Sequence, residues 1–450
     1  MMNIKLRKIK EWIDCEIQED YLDEVVQGTC IDSRKIEKSN LFIPFKGENV
    51  DGHRFVSQTL ENGAGASFWQ KDIPNPPKGP IIFVEDTLVA LQDLAKSYLR
   101  YVNPKVVAIT GSNGKTTTKD MVECVLNKSF KVKKTQGNYN NEIGCPLTIL
   151  DLDEDTEVSI LEMGMSGFGE IRELTLLAEP DVAIVTNIGE SHMQDLGSRE
   201  GIAKAKFEIT EGLKDDGLFI YDGDEPLLKS IVTSINNTKV SVGTNDDNNV
   251  IIQTNQSTSN GINFQLNNSN MVYHLSILGE HNVKNATYAI QVAKQFGVTE
   301  DIIQSTLDDL VLTDMRMQRI ETEKYGLLIN DAYNASPTSM KAAIDTLHNM
   351  ESDDKILILA DVLELGDMSK KMHQQVGYYL EGKDIQTLIT YGEEAAHISN
   401  IASEYIQNHY HFDSKEKITD YLKEHLNGES VTLFKGSRGM SLETIINSLT

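Results

Sequence analysis

The sequence contains only four cysteines, Cys15, Cys30, Cys124 and Cys145, and no two of them form a C-x-x-C pair. Nothing in that spacing suggests a disulfide framework, so a reducing compartment is the simpler expectation. No apolar run approaches the ~18 residues that a membrane-spanning helix needs. The opening residues MMNIKLRKIKEWIDCE carry no apolar signal core, and a cytoplasmic protein without a membrane partner is expected. Positive charge is scarce: 42 Lys and Arg stand against 68 Asp and Glu, a formal net charge of −26. Nucleic acids and anionic membranes require basic surfaces, so neither is expected as a partner. An anionic substrate in a local basic pocket stays open. Short-period repeats and coiled-coil heptads are also missing. What is present is a chain of 450 residues, 40% of them hydrophobic. That is enough for sizeable cores and suggests two to four domains.

The most informative stretch is VVAITGSNGKTTTKDMVECVL, Val106 to Leu126. It reads as a buried strand, a glycine turn and a helix with an apolar face at Met121, Val122, Val125 and Leu126. Gly111, Ser112, Asn113 and Gly114 form the turn. A helix N-terminus offers free N–H groups and about half a positive charge to a phosphate. Lys115 can reach the β- and γ-phosphates, and the Thr116 hydroxyl can hold Mg²⁺. Thr117 and Thr118 either join this cradle or solvate the first helical turn. The common loop is G-x-x-x-x-G-K-[ST], whose first glycine would fall at 109, where this chain has Ile109.

The rest of the chain alternates strands and helices. Residues 1–85 mix short elements, with strands at NLFIPFKG (Asn40–Gly47) and PIIFVED (Pro80–Asp86). Asp86 or Thr87 caps a helix running to Arg100, closed by Asn103-Pro104. Apolar strands follow at 106–110, 157–162, 181–187 and 217–221, the rhythm of a doubly wound α/β sheet. The Asn- and Ser-rich region from about 235 to 275 alternates as attached β-hairpins. A second α/β series begins near 313, with strands in LLINDAY, ILILADV, TLITYG and VTLFKGS. The expected architecture is therefore α/β in three domains. A small N-terminal α/β domain spans 1–85. A central P-loop-type sheet with attached hairpins spans 86–312, and a Rossmann-like α/β domain spans 313–450.

Two further segments end buried strands. SILEMGMSG puts Glu162 at a strand end, and VAIVTNIGESHMQDLGS puts Asn187 and His192 just beyond another. Ligands of parallel sheets gather at the carboxyl ends of strands, so Glu162 and His192 are candidate metal ligands facing the phosphate loop. Taken singly, a glutamate there caps a loop and a histidine makes an ordinary hydrogen bond.

These motifs, in order, resemble the Mur ligases: TGSNGKTTTK, GNYNNEIGCPLTIL, LEMGMSG, TNIGESHM, GEHNVKNA, INDAYNASPTSM and KGSRG. The resemblance accounts for Ile109, because the family's loop is one glycine shorter. Three segments, Asp32–Val56, Asn330–Pro337 and Asp361–Gly366, are most similar to one member. That member joins D-alanyl-D-alanine to UDP-N-acetylmuramoyl-tripeptide at the expense of ATP, through an acyl phosphate. The resemblance implies a monomeric amide-forming ligase of peptidoglycan precursor synthesis. It implies one Mg²⁺ at Thr116 and Glu162 and a second near His192. In GIAKAKFEIT it implies a carbamylated lysine supporting the second metal, at Lys206 rather than Lys204. It further implies adenine contact by Asn282, phosphate contact by Arg316 and ribose binding by Asp331. Substrate contacts are implied for Ser33 and Arg34 (uridine diphosphate), Asn138 and Asn141 (the central cleft), and Lys435, Ser437 and Arg438 (a peptide carboxylate). Another ligase of the superfamily, including a folylpolyglutamate synthase, and a nucleotide-dependent switch without amide synthesis are the alternatives. The N-terminal region argues against the folate enzyme, and NDAYNASP against the other muramyl ligases.

Overall fold

A computed structural model describes residues 1–47, 50–191, 193–258 and 261–450. Its largest element is a nine-stranded sheet. From one edge the strands are Val132–Lys134, Val158–Glu162, Lys105–Thr110, Val182–Val185, Leu218–Asp222, Thr238–Gly243, Val250–Thr258, Gly261–Leu266 and Val272–Leu275. The first seven run parallel to one another, and the last two are added by antiparallel pairing, so only Gly261–Leu266 runs against the rest. The expected hairpins are thus a continuation of the main sheet, joined to it where Val242 and Gly243 pair with Val250 and Ile251.

The strand Lys105–Thr110 shows why this sheet is sandwiched. Val106 and Ala108 point into one core, shared with the N-terminal residues and the helix Thr87–Val102. Val107 and Ile109 point into a second core beneath the helices Lys115–Asn127 and Glu280–Gln295. Both faces are covered, so the strand is apolar throughout rather than alternating. It is also the switch point. The chain leaves it for Val132–Lys134 and Val158–Glu162 on one side, then crosses to Val182–Val185 on the other. Loops at such a point splay apart and leave a crevice at the strand ends.

The N-terminal region holds a two-stranded ribbon and a five-stranded sheet. Its strand Leu41–Phe42 is shorter than Asn40–Gly47 promised. Ile43 still donates to the Cys30 carbonyl, but Pro44 has no N–H with which to extend the ladder. The helix Thr87–Val102 begins at Asp86, whose carboxylate accepts from the Leu88 and Val89 amides, and ends at left-handed Asn103. It packs on both sides of the expected 85/86 boundary. Ser97 donates to the Trp12 carbonyl, and Tyr98 OH donates to that of Leu152 at 2.7 Å.

The C-terminal sheet has the order Gln318–Thr322, Gly326–Asn330, Val431–Lys435, Lys355–Ala360, Thr387–Tyr391, Asn408–Phe412. Only its first strand is antiparallel. It too has a switch point, where the ends of Gly326–Asn330 and Val431–Lys435 meet, and this end faces the crevice of the central sheet. No helix is long and apolar enough to cross a membrane among the described residues.

Candidate active site

Between the two sheets lies a cleft of about 1380 Å³, lined by the phosphate loop and by residues from 312 onward. The loop could be built only with glycine at two positions. At Gly111, with φ +153°, an added Cβ would fall 1.8 Å from Thr186 Oγ1. At Gly114, with φ +79°, it would fall 2.7 Å from Asn285 Oδ1. Position 109 needs no glycine, because Ile109 is a fully buried strand residue registered against Glu162 and Ile184. The next strand's exit fastens the loop. The amides of Ser112 and Asn113 donate to the carbonyl and side-chain oxygens of Asn187, at 3.1 and 2.9 Å. Ser112 Oγ accepts from the Gly189 amide at 2.8 Å.

The Lys115 ammonium folds back to the Gly111 carbonyl at 2.8 Å. Its enclosure pushes its pKa below the usual lysine value, against the pull of Glu162 and with the help of Arg316. Glu162, 3% exposed, accepts from Thr116 Oγ1 at 3.0 Å and from Asn140 Nδ2 at 3.1 Å. Arg316 crosses the cleft and donates to Thr116 Oγ1 at 3.1 Å, its guanidinium 4.3 Å above the Tyr333 ring. The structure therefore brings Lys115, Thr116, Glu162 and Arg316 to one point. Thr117 lines the cleft and Thr118 is fully buried, so neither merely solvates the helix. His192 lies outside the described residues.

Lys206 also lines this cleft, 2% exposed, while Lys204 faces solvent. Burial drives the Lys206 pKa well down and the Lys115 charge adds to this; among the described residues no acidic side chain pairs with it. Asn138 and Asn141 line the same wall, and Asn141 Oδ1 accepts from the Gly144 amide at 2.8 Å. On the other wall Asp331 is held from two sides. One oxygen accepts from Lys435 Nζ at 2.6 Å and the other from the Met317 amide at 3.2 Å. Lys435 thus stands in the cleft wall as a partner of Asp331 rather than as a free cation. Asn282 reaches the cleft with both side-chain atoms engaged, donating to the Leu278 carbonyl and accepting from Asn285.

Other expected residues are not gathered here. Ser437 Oγ accepts from the Leu363 amide, and Arg438 pairs with Glu443 at 2.7 Å; neither lines the cleft. Ser33 and Arg34 lie in a short turn of the N-terminal region, with Arg34 bound to Asp32 through two 2.8 Å contacts. Sequence reasoning passed over Asn140, although it lies between the two asparagines singled out. It also passed over the contacts that cross the cleft, Ser336 to Asn113 at 2.9 Å and Thr338 to Glu190 at 2.6 Å. Small hydroxyl residues give no signal until the fold sets them opposite a partner.

Comparison with known proteins gives the family. Residues 25–99 match the family model described as Mur ligase family, catalytic domain. Residues 109–293 match the Mur ligase middle domain, and 315–438 the Mur ligase, glutamate ligase domain. The chain belongs to the Mur ligase family. Among Mur ligases it is 46% identical to the UDP-N-acetylmuramoyl-tripeptide–D-alanyl-D-alanine ligase of Bacillus subtilis, covering 95% of this chain and 94% of that one. It is 32% identical to the Escherichia coli enzyme of the same name, over 100% and 99% of the two chains. The structure of MurF from Acinetobacter baumannii superposes with a TM-score of 0.89 at 28% identity, covering 100% and 99%. That of MurF ligase from Thermotoga maritima in complex with ADP gives 0.84 at 28%, covering 94% and 97%. The three-domain α/β architecture expected of a Mur ligase is the one found.

Proposed function

We propose that this chain is an ATP-dependent ligase that joins D-alanyl-D-alanine to UDP-N-acetylmuramoyl-tripeptide, acting in the cytoplasm in peptidoglycan precursor synthesis. The observation that carries the reading is 46% identity, across nearly the whole chain, to a Bacillus subtilis ligase of that name. The convergence of Lys115, Thr116, Glu162 and Arg316 supports it, since phosphoryl transfer depends mainly on positioning and charge neutralisation.

In this reading the γ-phosphoryl group of ATP passes to the terminal carboxylate of the tripeptide. The amine of D-alanyl-D-alanine then attacks the acyl phosphate, and the tetrahedral intermediate collapses to amide and phosphate. Lys115 and Arg316 face the transferring phosphate from opposite walls and balance its charge. The amides of Gly114 to Thr117, at the helix N-terminus, cradle the remaining phosphates, while those of Ser112 and Asn113 hold the loop to Asn187. Asp331 receives the ribose hydroxyls, oriented by Lys435, and Asn282 borders the base. Asn138 and Asn141 border the acceptor peptide. Ser33 and Arg34, in an N-terminal domain spanning 1–85, contact the uridine diphosphate. The C-terminal domain, with Ser437 and Arg438 behind its cleft wall, receives the dipeptide.

Thr116 and Glu162 suit a magnesium ion, being a hydroxyl and a buried carboxylate with oxygen donors only 3.0 Å apart. Bound there, Mg²⁺ would supply charge neutralisation at the phosphates. Lys206 suits carbamylation because a buried amine of lowered pKa is a nucleophile toward CO₂. The carbamate would turn this position into an anionic oxygen donor for a second Mg²⁺. The deciding assay is phosphate release with ATP. Release that requires both UDP-tripeptide and D-alanyl-D-alanine sustains the reading. Release with another amino acid or with folate points to a different ligase, and release with ATP alone points to a switch.

A further inference from the structure

The linker between the two sheets is tied to the phosphate-loop helix at a point the mechanism above does not use. The Thr313 amide donates to Asp120 Oδ2 at 2.9 Å. Asp120 is 1% exposed, and its Oδ1 accepts from Lys134 Nζ at 2.7 Å, with Lys119 Nζ 4.0 Å away. An ionised carboxylate gives a backbone N–H a stronger bond than a neutral acceptor does. Asp120 follows Thr116 by four residues in the helix Lys115–Asn127, so both lie on one face. Arg316 follows Thr313 by three residues and donates to Thr116 Oγ1 at 3.1 Å. The linker therefore runs along one turn of the helix and is fastened at both ends. Around Arg316, Met315 and Met317 take left-handed φ values of +62° and +50°. Side chains resist that conformation, so the surrounding contacts must hold it.

We propose that Asp120 is a positioning residue for phosphoryl transfer: it anchors the linker at Thr313 so that Arg316 is delivered to Thr116 and to the transferring phosphate. The proposal rests on the ligase reading. An apolar residue of similar shape would pack this helix as well, and a buried ion pair is weak evidence of stability. Such a residue would not hold the Thr313 amide. Because Asp120 acts through Arg316, the two should be strongly coupled.

The test is a double-mutant cycle on the full-length enzyme, with kcat read from phosphate release. Asp120→Ala should lower kcat about tenfold in the wild-type background and less than about twofold in an Arg316→Ala background. Asp120→Asn, which keeps a neutral acceptor, should recover part of the loss. Equal losses in both backgrounds, or no loss in either, overturn the proposal. Amide hydrogen exchange gives a readout independent of activity and of the ligase reading. Thr313 should be protected in the wild type, and Asp120→Ala should speed its exchange about tenfold or more while amides of Lys115–Asn127 keep their protection. An unprotected Thr313 amide in the wild type overturns the anchor even if the enzyme is a ligase. A protected one keeps the anchor even if dipeptide-dependent phosphate release is never found.

Discussion

The two walls of the cleft are built in different ways. The central wall is fixed by backbone. Its loop is pinned by the Asn187 carbonyl and side chain, and Glu162 ends a strand buried on both faces. The C-terminal wall reaches the central one through a few side chains: Arg316 on a linker, Ser336 at a helix cap and Thr338 in that helix's first turn. A phosphate cradle gains from rigidity, because its donors need no reorganisation as charge develops. A wall held by single hydrogen bonds can separate from the cradle at little cost, which suits a site that must take in and release three substrates. A similar contrast appears among three lysines that line the cleft. Lys115 and Lys206 in the central wall have depressed pKa values, Lys115 half-buried and Lys206 fully buried, whereas Lys435 opposite them is held by Asp331.

The largest effect should come from the rigid wall. Lys115→Ala should lower kcat by about a thousandfold or more with the melting temperature little changed, because the transition-state charge loses a fixed partner. Turnover near normal at saturating ATP would remove Lys115 from the chemistry. Next comes Lys206→Ala, with an expected loss of about a hundredfold, partly restored by formate occupying the carbamate position. Carbon-13 NMR with labelled bicarbonate should show a carbamate signal in the wild type that is absent from the variant.

Lys206 also gives a stability prediction with a definite sign. In CO₂-free buffer the folded pKa lies well below the usual lysine value. Between it and about 10.4 the unfolded chain binds the extra proton, so stability rises with pH through that window. Lys206→Met removes this dependence. The variant's advantage in urea melts should therefore be larger at pH 7 than at pH 10. A constant difference between the two proteins would mean that Lys206 is hydrated in the folded state.

The rigid wall was also the more legible in sequence. Its strands are apolar runs, its loop needs glycine at fixed positions, and Glu162 stands where such a run stops. The strand at 106–110 and the helix ending at Asn103 are found almost as the residues suggested. Strands with weaker patterns escaped: Val132–Lys134, Gln318–Thr322 and Asn408–Phe412 are short, polar or half exposed, and all three are sheet edges. Side-chain partners across the cleft were least legible, since they depend on how two sheets face each other. The Lys435–Asp331 pair joins residues 104 positions apart. Nothing local marks that lysine as a neighbour of an acid rather than a binder of one.

The smallest expected effect comes from the polar contacts of the C-terminal wall, and it tests the contrast most directly. Ser336 Oγ donates to Asn113 Oδ1 at 2.9 Å, and Thr338 Oγ1 donates to Glu190 Oε2 at 2.6 Å. Ser336 also caps the helix Pro337–His348 by accepting from the Ser339 amide, so Ser336→Ala loosens the cap as well as the clasp. Thr338→Val has no such second role, because it keeps the side chain's shape and removes only the donor. If these bonds merely hold the walls together, each loss is that of one net hydrogen bond, about 1 kcal/mol, and falls on assembly of the site rather than on the chemical step. Thr338→Val should raise the KM for ATP about threefold and leave kcat within about twofold. Ser336→Ala should do the same and also lower the melting temperature by a few degrees through the lost cap. A kcat loss approaching that of Lys115→Ala would show the C-terminal wall to be as much a part of the phosphate cradle as the loop itself, and the distinction between a rigid wall and a docking one would fail.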